Sequence, residues 1–288
     1  MSFTADVALA SINAISWGLT LALIALGLNL IFGLLNIVNI SHGSLYMLGA
    51  FLGWYTIDLT GSFLLALLIA PLAVGLVGVA MERIALRPVE DDVSITVIAT
   101  FGLAIALQYA VVLVFGPGTR TVDKPVSGVV KFGVTFSRYR LVIAGVALLV
   151  MAALYLFLTR TRYGMWMRGV RQDREVAAAM GVPTSWVYML TFGLGAYFAA
   201  FAGVLLAPIV SVDYLMGMEI LAIAFVVVMV GGLGSLGGVL IVSILFSLLE
   251  NFGALFVPTM QARILALILL VSILVVRPEG ILDKGAHA

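Results

Sequence analysis

The chain has 288 residues, of which 63% are hydrophobic and only 10% are charged, and its net charge is +1. Soluble domains carry roughly 25% charged residues, so the composition excludes a soluble globular protein. The apolar segments are continuous runs, which favours membrane helices over a β-barrel. The chain has no cysteine, so disulfides and cysteine-ligated metals are excluded. We expect no cofactor, no metal and no nucleic-acid partner for this chain.

The first apolar run must cross the membrane twice. No charged residue occurs from Val7 to Ile57, a stretch that would be roughly 76 Å long as a single helix. The hydrocarbon core is only about 30 Å thick, so this run must cross, break and cross back. The break is expected from Gly33 to Gly43, where four polar residues interrupt the apolar pattern: Asn36, Asn39, Ser41 and His42.

Further spans are predicted in the middle of the chain at about residues 62–81, 94–115, 141–158 and 186–208. Between them, residues 116–140 combine Gly/Pro punctuation with short Val, Phe and Thr runs, which predicts an ordered hairpin outside the membrane. The loop at 159–185 is long and basic.

The C-terminal part contains a second expected break. The segment from Glu219 to Phe252 is too long for one crossing and short for two, and "GGLGSLGG", Gly231 to Gly238, lies in its middle. This pattern predicts two short spans that meet at a glycine-rich break, followed by a last span at about 264–276. The sequence therefore predicts an all-α polytopic membrane protein of about nine helices, with eight or ten as alternatives, in a single domain covering residues 1–288.

The distribution of Lys and Arg predicts the orientation. With nine crossings, the loops at 82–93 and 159–185 and the C-terminus share one side, which carries more Lys and Arg than the other. Cytoplasmic loops are enriched in these residues, so this side is expected to be cytoplasmic. The N-terminus and the loop at 116–140 are then extracytoplasmic.

The two breaks are the first candidate site. Polar groups and irregular backbone at membrane depth face protein or a water-filled cavity, and transporters carry paired, broken hydrophobic segments beside the substrate route. Six crossings separate the two breaks, so both are expected on the same side. The alternative is that the polar residues only cap helix ends in an interfacial loop. The predicted pathway residues are Asn36, Asn39, Ser41, His42, Gly43, Gly231, Gly232, Gly234 and Gly237.

Glu250 is the one acidic residue well inside a late apolar segment. It is predicted either to be buried on the pathway or to lie at a helix end among the headgroups. No catalytic residue is expected, because the chain lacks a G-x-x-x-x-G-K-[ST] loop, and His42 and His287 cannot form an HExxH site. An intramembrane hydrolase using Ser41 and His42 is disfavoured, since adjacent residues rarely present nucleophile and base to each other.

The loop at 159–185 contains a second candidate site. Asp173 is a plausible N-cap, Arg174 to Met180 a short helix, Gly181 the residue that ends it, and Pro183 a stop. Such a short helix is marginal alone, so it is expected to dock on a surface through a face of alanines, Ala177, Ala178 and Ala179. The alternative is that the arginines only set topology and the helix lies on lipid headgroups.

Several stretches resemble a known family. "EVAAAMG", Glu175 to Gly181, resembles the E-A-A---G loop of ABC-importer permeases, although Val176 interrupts the E-A-A. "NIVNISHGSLYMLGAF" (36–51), "ERIALRPV" (82–89), "GVPTSWVYMLTFGLGAYFAAFAGVLLAP" (181–208), "GGLGSLGG" and "RPEGILDKG" (277–285) resemble LivH-type branched-chain amino-acid permeases. The resemblance extends over nearly the whole chain.

This resemblance implies a permease subunit of an ABC importer in a bacterial inner membrane. The implied substrate is a branched-chain or other amino acid, with urea or amides as the alternative. The implied partners are a second, LivM-like permease, two cytoplasmic ATPases and a periplasmic binding protein, besides membrane lipid. The residues implied in ATPase docking are Asp173, Arg174, Glu175, Ala177, Ala178 and Gly181. A stand-alone channel or secondary transporter is the alternative of another class, but it does not explain a docking helix.

Overall fold

The structure is a computed structural model that describes residues 3–35, 37–90, 92–132, 134–277 and 280. Within these ranges the chain forms eleven α-helices and one β-hairpin. The helices are α1 (Phe3–Leu35), α2 (His42–Thr60), α3 (Phe63–Met81), α4 (Val93–Phe115), α5 (Arg138–Arg160), α6 (Arg162–Gln172), α7 (Arg174–Ala179), α8 (Thr184–Leu206), α9 (Met216–Gly231), α10 (Leu236–Gly253) and α11 (Thr259–Val276). The strands are β1 (Val129–Phe132) and β2 (Val134–Ser137).

The membrane helices lie at the positions that the hydropathy predicts. Among the described residues, seven helices are long and apolar enough to cross a membrane: α1, α3, α4, α5, α8, α10 and α11. The helix α9 is apolar but shorter, and α2 lies between α1 and α3. An all-α polytopic fold is thereby confirmed: seven of the nine expected crossings are helices of membrane-spanning length, and α2 and α9 lie at the positions of the other two.

Several predicted boundaries are wrong. The last helix begins at Thr259 and not near 264, and α5 begins at Arg138 and not at 141. Both helices therefore carry arginines, Arg263 and Arg140, that were expected in extramembrane loops. Pro258 precedes α11, and its fixed φ suits a helix start. Arg263 is tolerated inside the helix because Glu250 of α10 lies 2.7 Å from its Nε atom.

The helices α1 and α8 form the centre of the bundle. In each of them, 83% of the most apolar stretch of 18 residues is buried, compared with 17% of the same kind of stretch in α4 and α11. The two central helices come close enough that a Cβ atom on Gly27 would lie 2.7 Å from the carbonyl oxygen of Gly195. The outer helices α3, α4, α5 and α11 expose rows of aliphatic side chains, as expected for surfaces that face lipid or another subunit.

Loops from different parts of the chain gather at one end of the bundle, which we call the α7 end. Arg174 donates to Glu90 at 2.6 Å, and Arg87 donates to the hydroxyl of Ser185 at 2.5 Å. Arg171 donates to the carbonyl of Leu233 at 2.9 Å. These contacts join the loops that follow α3, α5 and α9, which the alternation of crossings places on one side.

The opposite end, the hairpin end, contains β1 and β2. The strands pair antiparallel, with Val130 opposite Phe136, which confirms the ordered hairpin expected between residues 116 and 140. Arg120 and Val212 form a backbone bridge that joins this segment to the loop after α8. The side of the membrane on which each end lies stays a prediction.

Candidate functional site

The first break is a segment that turns back into the bundle. After α1 ends at Leu35, the backbone N–H of Ile40 donates to Thr100 Oγ1 at 3.3 Å, and Thr100 Oγ1 in turn donates to the carbonyl of Val38 at 3.1 Å. One turn further along α4, the Oγ atom of Ser44 in α2 donates to the carbonyl of Ala104 at 3.1 Å. Since Ala104 is at the middle of α4, α2 begins at the depth of the bundle centre. Protein groups satisfy the irregular backbone there, as membrane depth requires.

The polar side chains of this break are buried. Asn39, Ser41 and His42 are each 0% exposed. Ser41 Oγ donates to Asn39 Oδ1 at 2.5 Å and therefore does not cap α2. The Nε2 atom of His42 lies 3.0 Å from the carbonyl oxygen of Ile24 in α1, so Nε2 carries the proton. Asn36 lies outside the described residues.

These three side chains are therefore packed inside the protein and not on its surface. Within the described ranges, the His42 Nδ1 and Asn39 Nδ2 atoms have no hydrogen-bond partner. Unsatisfied buried polar atoms are uncommon and costly. Their role in a substrate pathway stays a prediction.

The second break lies directly against the end of α1. A Cβ atom on Gly33 would overlap the backbone nitrogen of Gly234. The N–H of Gly234 donates to Asn29 Oδ1 at 2.7 Å, across 205 positions of the chain. The structure therefore brings the ends of the two breaks together at the α7 end. Asn29 was not among the predicted site residues, although an asparagine inside an uncharged apolar run is itself a signal.

The other glycines of the predicted pathway have different neighbours. Gly43 packs against the backbone of Gly217 at the start of α9, and Gly231 packs against Gly238 across the turn from α9 to α10. Gly232 is buried and has a φ of 94°, a conformation that favours glycine. Gly237 is exposed and a Cβ atom there would meet nothing within 4 Å.

Glu250 lies far from the breaks, near the other end of α10. At about 1.5 Å per residue it is roughly 21 Å along the helix from Leu236. Its side chain is buried, and its two oxygens accept hydrogen bonds from Arg263 Nε at 2.7 Å and Trp17 Nε1 at 2.9 Å. The predicted burial of Glu250 is confirmed, and its place on a substrate pathway stays a prediction.

Glu250 lines a cavity of about 270 Å³ toward the hairpin end, together with Arg140, Asn251 and Arg263. A second cavity of about 280 Å³ adjoins it and shares Trp17, Val210 and Arg263. The second cavity reaches Tyr46, which lies one turn after His42 on α2, and the carboxylates of Asp213 and Glu219.

Arg263 therefore lies between the two cavities. Its Nη1 atom is 3.7 Å from Glu219, whereas its Nε atom donates to Glu250. In the part of the chain that the structure describes, no three His, Asp or Glu side chains are grouped so that they could hold a metal ion. The cavities were not predicted from the sequence, because Arg140 and Arg263 were expected in loops outside the membrane.

The short helix expected in the 159–185 loop is present as α7. Asp173 is its N-cap, and its carboxylate accepts from the N–H of Val176 at 2.9 Å. Gly181 has a φ of 83°, the left-handed conformation that ends a helix. These features confirm the predicted capping pattern.

The alanine face predicted for docking is wrong in part. Ala177 is only 5% exposed and faces the bundle, whereas Ala178 and Ala179 are exposed. Consecutive residues on a helix are about 100° apart and cannot share one face. The apolar side chains that α7 presents outward are Val176 and Met180, which are 55% and 81% exposed.

Two charged residues of α7 have different surroundings. Arg174 pairs with Glu90 at 2.6 Å, and its guanidinium lies 4.6 Å from the ring centre of Tyr188 at the start of α8. Arg174 therefore ties α7 to its own bundle. Glu175 is exposed.

The helix α6, which the sequence analysis did not predict, connects α7 to the second break. Arg171 in its last turn donates to the carbonyls of Leu233 and Gly234, at 2.9 and 3.3 Å. At its start, Tyr163 donates to the carbonyl of Val187 at 3.0 Å. Burial raises the pKa of the Tyr163 hydroxyl to about 12, so it stays protonated and keeps this bond. The helix α6 is thus joined to both α8 and the second break.

Comparisons with known proteins agree with this architecture. Residues 11–275 match the family model described as "Branched-chain amino acid transport system / permease component". The chain is 30% identical to the high-affinity branched-chain amino acid transport system permease protein BraD of Pseudomonas aeruginosa, over 95% of this chain and 94% of the relative. It is 31% identical to LivH of Escherichia coli K12, with 94% of both chains covered. No solved structure matches.

A more distant relative covers the same length. The chain is 26% identical to the probable branched-chain amino acid transport permease protein LivH of Methanocaldococcus jannaschii, over 93% of this chain and 90% of the relative. The likeness is therefore to whole relatives, in both bacteria and an archaeon.

Proposed function

We propose, from the premise that the chain belongs to the family of permease components of branched-chain amino-acid transport systems, that it is one permease subunit of an ABC importer in a bacterial inner membrane. The proposed substrate is a branched-chain amino acid, because the relatives described above are all named for that transport. The same names give no support to urea or amides. The family is one of transport permeases, and the proposed role of this chain is to conduct the substrate without bond chemistry.

The observation that carries the docking part of this proposal is the form of α7. The helix is capped at both ends, is anchored by Ala177 and Arg174, and yet exposes the apolar side chains of Val176 and Met180 at the end of the bundle. Exposed apolar groups on an otherwise anchored element favour contact with a partner protein. We propose that this face receives a cytoplasmic ATPase.

A route for transmitting ATPase movement is available through α6. Movement of α7 would be transferred to Arg171, whose guanidinium donates hydrogen bonds to the carbonyls of Leu233 and Gly234. Gly234 in turn lies against Gly33 and donates to Asn29 of α1. The proposed mechanism is alternating access, in which closure of the ATPases pulls the second break away from the end of α1.

The proposed partners follow from the same assignment. A second permease, LivM-like, would cover part of the exposed aliphatic surface, two ATPases would bind the α7 end, and a periplasmic binding protein would deliver substrate at the hairpin end. The Lys and Arg bias supports this orientation. Asn39, Ser41, His42 and Glu250 remain the proposed pathway residues.

The test combines co-purification with a docking variant. The tagged chain is isolated from native membranes in mild detergent, and an ATPase and a second permease are expected in near-equal amounts. Met180→Asp is expected to abolish ATPase co-purification without lowering thermal stability, because the side chain is 81% exposed. Gln172→Asp, an exposed position at the end of α6, is the matched control and should retain the ATPase.

Two results would contradict the proposal. One is isolation of the chain alone, with transport that continues in liposomes without ATP, which would favour a channel or secondary transporter. The other is normal ATPase binding by Met180→Asp, which would remove α7 as the docking element.

A further inference from the structure

The cavity beside Glu250 combines three chemically different surfaces. One part carries the guanidinium of Arg140. A second part carries Glu250, already paired with Arg263 and Trp17, and the neighbouring Asn251. The third part is aliphatic, with the side chains of Ile143, Leu206, Ile209, Val210 and Ala254, and the hydroxyl residues Ser16, Thr20 and Thr259 complete the lining.

Within the described residues, the Arg140 side chain in this lining has no ion-pair partner, whereas Arg263 is paired with Glu250. Its backbone carbonyl accepts from Ser16 Oγ at 2.9 Å, which fixes the start of α5 beside α1. Among the described residues, its guanidinium takes part in no ion pair or hydrogen bond, although an arginine offers five donors. A half-buried guanidinium within an apolar bundle is costly without an anion. The arrangement therefore fits a carboxylate that arrives with a ligand.

The part of the lining that contains Glu250 and Asn251 has unused hydrogen-bond acceptors. Each oxygen of Glu250 accepts one hydrogen bond, from Arg263 or from Trp17, and a carboxylate has about four acceptor positions. Asn251 uses its Nδ2 atom to donate to the carbonyl of Ser247 at 2.9 Å, so its side-chain oxygen is the atom left for the cavity. These acceptors suit an ammonium group.

We propose that this cavity is a binding site for a zwitterionic amino acid with an aliphatic side chain. The carboxylate binds Arg140, the ammonium group binds Glu250 and Asn251, and the side chain packs on the wall formed by Ile143, Leu206 and Val210. The volume of about 270 Å³ lies below the range of about 300–1,000 Å³ typical of drug-sized ligands, and so suits a smaller molecule. The inference rests on the proposed function and adds to it a binding site for the substrate within this chain.

The decisive experiment measures binding without the periplasmic binding protein. Labelled leucine is titrated onto the intact permease–ATPase complex in nanodiscs, in the absence of nucleotide. Arg140→Gln is expected to raise the Kd by at least about tenfold, the loss typical of one charge-assisted hydrogen bond. Arg138→Gln is the matched control, because Arg138 is two positions earlier on α5, exposed, and lies near Gly128 outside the cavity. Its Kd should equal that of the unaltered complex.

Ligand analogues test each half of the zwitterion. 3-Methylbutylamine, which is leucine without its carboxylate, should compete weakly with leucine, and Arg140→Gln should leave its affinity unchanged. 4-Methylpentanoate, which lacks the ammonium group, should also bind weakly but should lose further affinity in Arg140→Gln. Equal competition by leucine and the amine would overturn the assignment of Arg140.

The remaining outcomes separate this inference from the proposed function. ATP-driven leucine uptake by the complete importer, combined with equal leucine binding by Arg140→Gln and the unaltered complex, would overturn the cavity and leave the importer assignment intact. Native mass spectrometry that finds an Arg140-dependent phospholipid in place of leucine would also overturn it, since the anion would then be a lipid phosphate. Absence of uptake for every amino acid would overturn both.

Discussion

The two ends of the bundle are built in opposite ways. At the α7 end, Gly33 and Gly234 bring two backbones into contact, and Arg171 fastens the same turn to α6. At the hairpin end, two cavities of about 270 and 280 Å³ separate the helices, and Arg263 and Glu250 lie between them. The bundle is thus closed at one end and hollow at the other.

This difference follows from the residue types at each end. Glycine has no side chain, so two backbones can touch at glycines. They can also separate again without displacing side chains. Charged groups instead need water or a counter-charge at membrane depth, so they line cavities. If the α7 end is cytoplasmic, as the Lys and Arg bias predicts, the two cavities lie toward the outer side of the membrane.

The largest effect is expected from breaking the closed end. Gly33→Val would push a side chain into the backbone of Gly234, and overpacking of this kind should cost about 3 kcal/mol or more. We expect loss of uptake and a markedly lower melting temperature, measured on the purified complex. Gly237→Val in the same glycine run, where a Cβ atom meets nothing within 4 Å, is the control. Equal losses in the two variants would contradict a close contact between the breaks.

A smaller effect is expected at the hollow end from Glu250→Gln. Loss of the carboxylate leaves Arg263 without its nearest counter-charge, which should lower the free energy of unfolding by about 1–3 kcal/mol. This is less than the roughly 3–5 kcal/mol for a fully buried pair, because the Arg263 side chain is 31% exposed. Denaturant unfolding in detergent measures it, and a double-mutant cycle with Arg263→Gln isolates the pair.

The neighbouring carboxylate provides the control for that measurement. Glu219 is 81% exposed and 3.7 Å from Arg263, so Glu219→Gln should change stability little. A loss as large as that of Glu250→Gln would mean that Arg263 depends on both carboxylates equally.

The smallest effect is expected from Arg171→Ala. This variant weakens the packing of the α7 end without introducing a steric clash. Two hydrogen bonds to the carbonyls of Leu233 and Gly234 are lost from an exposed residue. We expect uptake to fall about fivefold while the ATPase still co-purifies. Arg162→Ala on the same helix, an exposed residue, should keep normal uptake. ATPase loss in Arg171→Ala would assign this residue to docking instead of transmission.

The sequence predicted the features that depend on local patterns. The order of the membrane helices follows from hydropathy, the cap of α7 by Asp173 follows from short-range hydrogen bonding, and both breaks follow from polar or glycine-rich interruptions. The boundary of α11 was wrong because Arg263 is unfavourable in an apolar helix unless a partner is known. That partner, Glu250, is on another helix.

Local sequence patterns are enough to specify the class of this protein, which is a polytopic helical membrane protein with two broken segments and a capped helix between spans. Composition, hydropathy and capping act within one or two turns of the chain. Other features are visible only in the folded chain: Gly33 contacts Gly234, and Ala177 faces inward. In the same way, Arg140, Glu250 and Arg263 line one cavity. These contacts join residues far apart in sequence, and they depend on helix rotation and depth, which hydropathy does not specify.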